Sequence, residues 1–211
     1  MRIVGIDEAG RGPVIGPLVL CGVLMDTRDL IHLARLGVRD SKQLSPERRA
    51  VLFPHIKKIA ERVAMRRISP ERLDRTNINV VELRAMRAII KATLPDIVIV
   101  DLPVRAGTER AAAYVQALHT ALPAGASQRP AIMGVNKADE RYAVVAAASV
   151  IAKVSRDAAV ARLRTLWGDF GSGYPADPKT IRWLADQYAA LPAVAPVRRK
   201  WQTIRRLSEE L

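Results

Sequence analysis

Two acidic side chains, Asp7 and Glu8, stand side by side at the end of a short apolar run, Ile3 to Ile6. A third, Asp101, closes a second run, Ile97-Val98-Ile99-Val100. A fourth group, Lys137-Ala138-Asp139-Glu140, precedes a long helical pattern. Carboxylates gathered without histidine or cysteine suit hard, oxygen-seeking cations such as Mg2+ or Mn2+. Two such ions about 3.5–4 Å apart can activate water and stabilise the leaving oxygen of an in-line displacement at phosphorus. Taken singly, each acid has an ordinary reading at least as good. An Asp after a strand is often a turn former, and Asp139 could cap a helix or complement its dipole. The adjacent pair is harder to place that way, because two acids at a buried strand end repel each other unless a cation compensates them. His32, His55 and His119 are scattered, and no Ser-His or Cys-His pairing supplies a competing nucleophile.

The elements that must position these acids follow from hydrophobic periodicity. Ile3 to Ile6, Leu18 to Met25, Val63 to Ile68, Ile97 to Val100 and Ala131 to Met133 read as strands. The first two are separated only by the turn-rich stretch Glu8 to Pro13, so they are expected antiparallel; a parallel pair needs a long crossover. Helical spacing covers residues 46–60, opened by Pro46, and 78–92, with Asn77 as N-cap. Further helices are expected from Thr108-Glu109 to Leu118, over 143–166, and near 178–190 and 200–209. Three strands come first, then strands alternate with helices. That order predicts an α/β fold, a mixed five-stranded sheet flanked by helices, followed by a helical C-terminal lobe. The expected division is 1–168 for the sheet domain and 169–211 for the lobe.

Lys plus Arg number 34 and Asp plus Glu 21, a formal net charge of +13, which favours a polyanionic partner. A basic surface kept for solubility is the plainer reading, and charge alone does not separate an enzyme from a non-catalytic RNA binder. Cys21 is the only cysteine, so neither an intrachain disulfide nor a CxxC metal site can form, and a reducing cytoplasm is the expected compartment. The chain starts directly on Arg2-Ile3-Val4-Gly5 with no charged-then-apolar leader expected, and no apolar stretch approaches the roughly 18 residues needed to span a bilayer.

Gly5-Ile6-Asp7-Glu8-Ala9-Gly10-Arg11-Gly12-Pro13, with Gly16-Pro17 beyond it, resembles the signature of the ribonuclease HII family (type 2 ribonuclease H). The resemblance continues through Asp40-Ser41-Lys42-Gln43-Leu44, Lys137-Ala138-Asp139, Ala147 to Val154 with Arg156-Asp157, and Gly171-Ser172-Gly173-Tyr174-Pro175 with Asp177-Pro178. Val197-Arg198-Arg199-Lys200-Trp201 with Thr203 is similar to the tail of the archaeal branch. The blocks span nearly the whole chain in the family's order.

The resemblance implies a ribonuclease H-like sheet, with the first three strands antiparallel and the next two parallel to the first. It implies Asp7, Glu8, Asp101 and Asp139 as catalytic, metal-binding carboxylates for Mg2+ or Mn2+, with two ions when substrate is bound. Asp101 is assigned by its place at the end of the fourth strand; Asp96 would sit at the wrong end. Gly10-Arg11-Gly12 is similar to the loop that senses the ribose, where glycines let backbone groups approach a sugar and its 2′-OH closely. Tyr174 is similar to the tyrosine that stacks on the following sugar. Ser41, Lys42, Lys137 and Lys153 are candidate phosphate contacts, with solvated or helix-capping roles equally open. Asp157 reads as structural or phosphate-proximal.

Arg198, Arg199, Lys200, Arg205 and Arg206 surround Trp201. They either clamp a duplex backbone or sit in solvent on a helix docked by Trp201, Ile204 and Leu207. The implied activity is endonucleolytic hydrolysis of RNA in RNA–DNA hybrids and cutting 5′ to single ribonucleotides in duplex DNA, leaving 5′-phosphate and 3′-hydroxyl ends. A monomer is expected. Sliding-clamp binding through the tail is not, because 207–211 lack a glutamine with a later aromatic pair. Two other readings remain. A ribonuclease HIII or resolvase would not cut at a single embedded ribonucleotide, and a non-catalytic RNA binder would need no Mg2+.

Overall fold

The computed structural model describes residues 1–38, 44–102, 107–119 and 129–210, with 208–210 by backbone only. In chain order the elements are β1 (Arg2–Ala9), β2 (Leu18–Asp26), α1 (Leu30–Arg35), α2 (Pro46–Ile59), β3 (Arg62–Ile68), α3 (Pro70–Arg75), α4 (Ile78–Thr93), β4 (Ile97–Asp101), α5 (Glu109–His119), β5 (Ala131–Val135), α6 (Ala138–Arg141), α7 (Ala143–Trp167), α8 (Pro178–Gln187) and α9 (Gln202–Glu210). The sheet order is β3-β2-β1-β4-β5, with β1–β2 and β2–β3 antiparallel and β1–β4 and β4–β5 parallel. This is the expected mixed sheet, with β1 at its centre.

Alternation along β1 sends Ile3, Asp7 and Ala9 to one face and Val4, Ile6 and Glu8 to the other. The first face packs on α7 through Val145, Ala148, Ile151 and Ala152, with α1 and α2 beside it. Alanines let that helix lie close to the sheet. Closest of all is Gly5, where an added Cβ would stand 2.5 Å from the Val144 carbonyl oxygen. The opposite face is covered by α4, through Met86, Ile89 and Ile90, and by Leu118 of α5. A third core joins Val14, Ile15 and Val160 to Phe170, Leu184, Val197 and Ile204. It crosses the expected 168/169 division, which falls just after the end of α7.

Caps set several helix starts. Ser45 accepts from the Arg48 N–H ahead of Pro46, and Asn77 caps α4 through the Asn79 N–H, as expected. Three short helices, α1, α3 and α6, were not expected; α3 repeats the cap of α2, with Ser69 accepting from the Arg72 N–H. The other departure concerns β1. It does not stop at Ile6 but continues through Asp7, Glu8 and Ala9, paired with Cys21, Leu20 and Val19. Cross-strand pairing outweighs the poor strand propensity of the acids. The two carboxylates therefore belong to opposite faces of the sheet.

Candidate active site

β1 and β4 run parallel in register from Ile3↔Ile97 to Ile6↔Val100, so the next residues along, Asp7 and Asp101, stand beside each other. The Asp101 Oδ1 accepts from the Ala138 N–H at 3.4 Å, tying the end of β4 to the first turn of α6. That turn carries the buried Asp139, and its entry at Lys137 is left-handed, with φ 54°. Gly5, by admitting the start of α7, holds this corner against β1. Asp96 lies at the opposite end of β4, where its Oδ2 accepts from the Arg2 N–H at 2.7 Å.

The electrostatics register the crowding. Burial, then the charges of Asp139 and Asp101, push the Asp7 carboxyl up to about 6; the Ser149 hydroxyl and the Glu8 N–H, both donating to it, pull the other way. Glu8 is held well above the usual carboxylate range by burial first, then by Asp7, Glu82 and Asp101, with Arg11 opposing. The four acids thus act on one another across the sheet end, although among the described residues no three close into a ready-made cation cage. All-oxygen donors, among which Asp7 and Glu8 are held above the usual carboxylate range, suit a hard divalent cation, whose charge would relieve the repulsion. The donor set therefore fits the metal that the sequence implies.

Glu8 also opens onto a cleft of about 490 Å3, lined by Gly10, Arg11, Gly12, Arg49, Lys153, Arg156, Asp157 and Tyr174. A larger groove of about 540 Å3, walled by Leu163, Leu166, Val194 and other residues, contains none of the four acids. Size does not identify the site; the carboxylates do. A Cβ at Gly12 would sit 3.8 Å from the Tyr174 ring, so the glycine loop and the tyrosine are neighbours. Tyr174 is 42% exposed, and the Arg156 guanidinium lies 5.2 Å from its ring centroid. Gly10 has φ 90°, and a Cβ there would meet the Arg156 side chain at 2.6 Å.

Of the expected phosphate contacts, Lys153 lines this cleft. Lys137 does not; it is exposed and pairs with Glu140, Nζ to Oε1 3.3 Å. Ser41 and Lys42 lie outside the described residues. Asp157 sits at the rim, its Oδ2 3.6 Å from the Arg49 Nη2. One expectation is corrected. Arg198 is wholly buried and donates to backbone carbonyls, so it can neither clamp a duplex nor sit in solvent. Arg199 is turned inward too, its Nη2 bonding the Leu191 and Pro192 carbonyls, while Arg205 and Arg206 are exposed. Trp201, Ile204 and Leu207 dock the segment, as expected.

Sequence reasoning passed over Ser149, Arg156 and Glu82. Ser149, Lys153 and Arg156 recur at i, i+4 and i+7, a polar stripe on an apolar helix that spacing could have revealed. Arg156 is only 5% exposed, and its Nε and Nη2 have no hydrogen-bond partner. Glu82 is fully buried on α4 and ion-paired with Arg11, whose Nη2 also donates to the Asn79 Oδ1 at 2.6 Å.

A mixed sheet of this order, with acids converging where β1 and β4 end, is the frame of the ribonuclease H-like nucleases. The comparisons narrow the class. A family model described as Ribonuclease HII matches residues 4–204. The chain is 39% identical to ribonuclease HII of Pyrococcus furiosus, covering 100% of this chain and 93% of that protein. It is 42% identical to that of Hyperthermus butylicus, covering 97% and 84%. Among solved structures, ribonuclease H2 from Pyrococcus horikoshii OT3 superposes with a TM-score of 0.88 at 34% identity, covering 100% of this chain and 98% of that one. The PCNA:RNase HII complex from Archaeoglobus fulgidus gives 0.83 at 39% identity, covering 96% of each chain. This chain belongs to the ribonuclease HII family: it is a ribonuclease H, a divalent-metal-dependent endonuclease acting on RNA in RNA–DNA hybrids.

Proposed function

We propose that the protein cuts on the 5′ side of a ribonucleotide, whether embedded singly in duplex DNA or within a hybrid, and leaves 5′-phosphate and 3′-hydroxyl ends. The observation that carries this reading is the junction at Glu8, where the carboxylate cluster meets the Gly10–Gly12 loop and Tyr174 in one cleft. Asp7, Glu8, Asp101 and Asp139 would hold Mg2+ or Mn2+, two ions with substrate present. Bound there, the ions supply Lewis acidity for activating water and stabilising the leaving oxygen. Ser149 fixes the Asp7 carboxylate by donating to it.

Gly10, Arg11 and Gly12 present backbone close to the sugar, which only residues without a side chain allow at positions 10 and 12. Tyr174 offers a flat apolar face to the next sugar, where a deoxyribose packs better than a ribose. Lys153 and Arg156 line the same cleft and are the proposed phosphate contacts there. Ser41, Lys42 and Lys137 complete the proposed phosphate contacts. Residues 1–168 carry the chemistry and 169–211 contribute Tyr174 and the docked tail. We take the protein to act as a monomer in the cytoplasm, without clamp docking through 207–211; the PCNA complex is a property of the Archaeoglobus protein.

The test is cleavage of a labelled DNA duplex holding one ribonucleotide, with Mg2+, Mn2+ or EDTA, by wild type and Asp101→Asn. A metal-dependent cut 5′ to the ribonucleotide, lost in the variant, is the expected result. Full activity in the variant would remove Asp101 from the site. A wild type that cuts long hybrids but never the single ribonucleotide would overturn the specificity.

A further inference from the structure

The largest fully buried side chain among the described residues is Arg198, far from the acids in sequence and unconnected with metal binding. Its guanidinium donates to three carbonyls of one loop: Nη2 to Gly10 at 2.5 Å, Nη1 to Arg11 at 3.0 Å and Nε to Gly16 at 3.0 Å. The Cζ of that guanidinium lies over the Trp201 ring, 4.9 Å from its centroid. Its backbone is fixed as well: the Arg198 N–H donates to the Val14 carbonyl and the Gly16 N–H to the Pro196 carbonyl, both at 2.8 Å. A planar fork of five donors is the one side chain that can bind three carbonyls in fixed directions.

A trans peptide points its C=O and N–H to opposite sides, and no peptide bond among the described residues is cis. With the carbonyl of Gly10 drawn down onto Arg198, the N–H of Arg11 must point the other way. With the carbonyl of Arg11 drawn down, so must the N–H of Gly12. Gly10, Arg11 and Gly12 line the cleft and the buried Arg198 does not, and Gly12 is exposed there, so the side turned away from Arg198 is the one open to the cleft. The side chain of Arg11 is held separately by Glu82 and Asn79, so it does not compete for this space.

We infer that Arg198 is a positioning residue for substrate selection, turning two successive N–H groups, those of Arg11 and Gly12, into the cleft as donors to the sugar at the cut site. The inference rests on the proposed ribose-sensing role of the loop. It makes the tail a working part of the site without any contact between Arg198 and nucleic acid.

Two variants test it, Arg198→Lys and Arg198→Gln; both retain a donor but neither can span three carbonyls. Three quantities are read on each: kcat/KM on the single-ribonucleotide duplex, Kd for an all-DNA duplex, and the amide 1H–15N shifts of Arg11 and Gly12. The expected result for each variant that melts within a few degrees of wild type is a kcat/KM loss of roughly 10- to 100-fold. The all-DNA Kd stays within about twofold, since phosphate contacts rather than the loop set that term. The amide shifts of residues 11 and 12 move while those of β3 do not. Wild-type kcat/KM in either variant would overturn the inference. An equal loss in kcat/KM and in all-DNA binding would overturn it too, by making Arg198 a general determinant of the surface. Should both variants fail to fold, the amides decide it in the wild type: protection of Arg11 and Gly12 N–H from solvent exchange in the substrate-free protein would overturn it, and ready exchange would support it. A wild type that does not discriminate ribose defeats the functional reading instead, and the amide shifts still report whether Arg198 orients the loop.

Discussion

Replacing Asp7 by asparagine should make the metal-free protein more stable at neutral pH. Asp7 is buried, and burial together with Asp139 and Asp101 pushes its carboxyl from the ordinary 3.8 up to about 6. The folded protein therefore holds this proton more tightly than the unfolded chain does. Its contribution to stability is fully present below about pH 3.8 and is lost as the pH rises through about 6. A rise of that size corresponds to about 3 kcal/mol. Asparagine keeps the shape, carries no charge and still accepts from the Ser149 hydroxyl. In EDTA at about pH 8 the Asp7→Asn variant should gain about 3 kcal/mol over wild type, or roughly 6–12 °C in Tm for a domain of this size. The gain should vanish by about pH 4, where both forms are uncharged. Urea melts across that pH range read the difference directly. Mn2+ should reverse the order, because it stabilises only the protein that binds it. A variant less stable than wild type in EDTA at the higher pH, or a gain independent of pH, would refute the reasoning.

Gly5→Ala should cost about 1–3 kcal/mol by overpacking, because its methyl would meet the Val144 carbonyl oxygen at 2.5 Å; kcat should fall more than KM, since α6 and α7 carry Asp139 and Ser149, and urea melts with steady-state kinetics check both. Arg156→Gln should flatten the salt dependence of duplex binding by about 0.9 in the slope of log K against log salt, measured by fluorescence anisotropy. The same variant should melt no lower than wild type, because the arginine it removes is buried with two donors unpartnered.

The sheet was legible because its strands are short apolar runs bounded by turn formers, and the tight link between β1 and β2 allows only one direction. The extension of β1 through Asp7 and Glu8 was not, because it depends on Val19, Leu20 and Cys21 of the partner strand rather than on the acids themselves. The helix at Pro70 could have been read: Ser69-Pro70-Glu71-Arg72 repeats Ser45-Pro46-Glu47-Arg48, a cap followed by proline at the first helical position. All four acids announce themselves as neighbours of apolar runs or members of a family motif. Arg198 is different in kind. Nothing local distinguishes it from Arg199 or Arg205; its burial is decided by carbonyls more than 180 residues away.

That separation bears on when the enzyme becomes competent. The sheet and α7 can assemble as soon as residues 1–167 have left the ribosome, since all five strands lie before residue 136. The Gly10 carbonyl must still wait for an arginine 188 residues downstream. Closing so long a loop is entropically slow relative to local pairing. A nascent chain on this account passes through a stage with its acidic cluster built and its Gly10–Gly12 loop not yet held by Arg198. Bringing that contact from so far along the chain ties the setting of the Gly10–Gly12 loop to the arrival of Arg198.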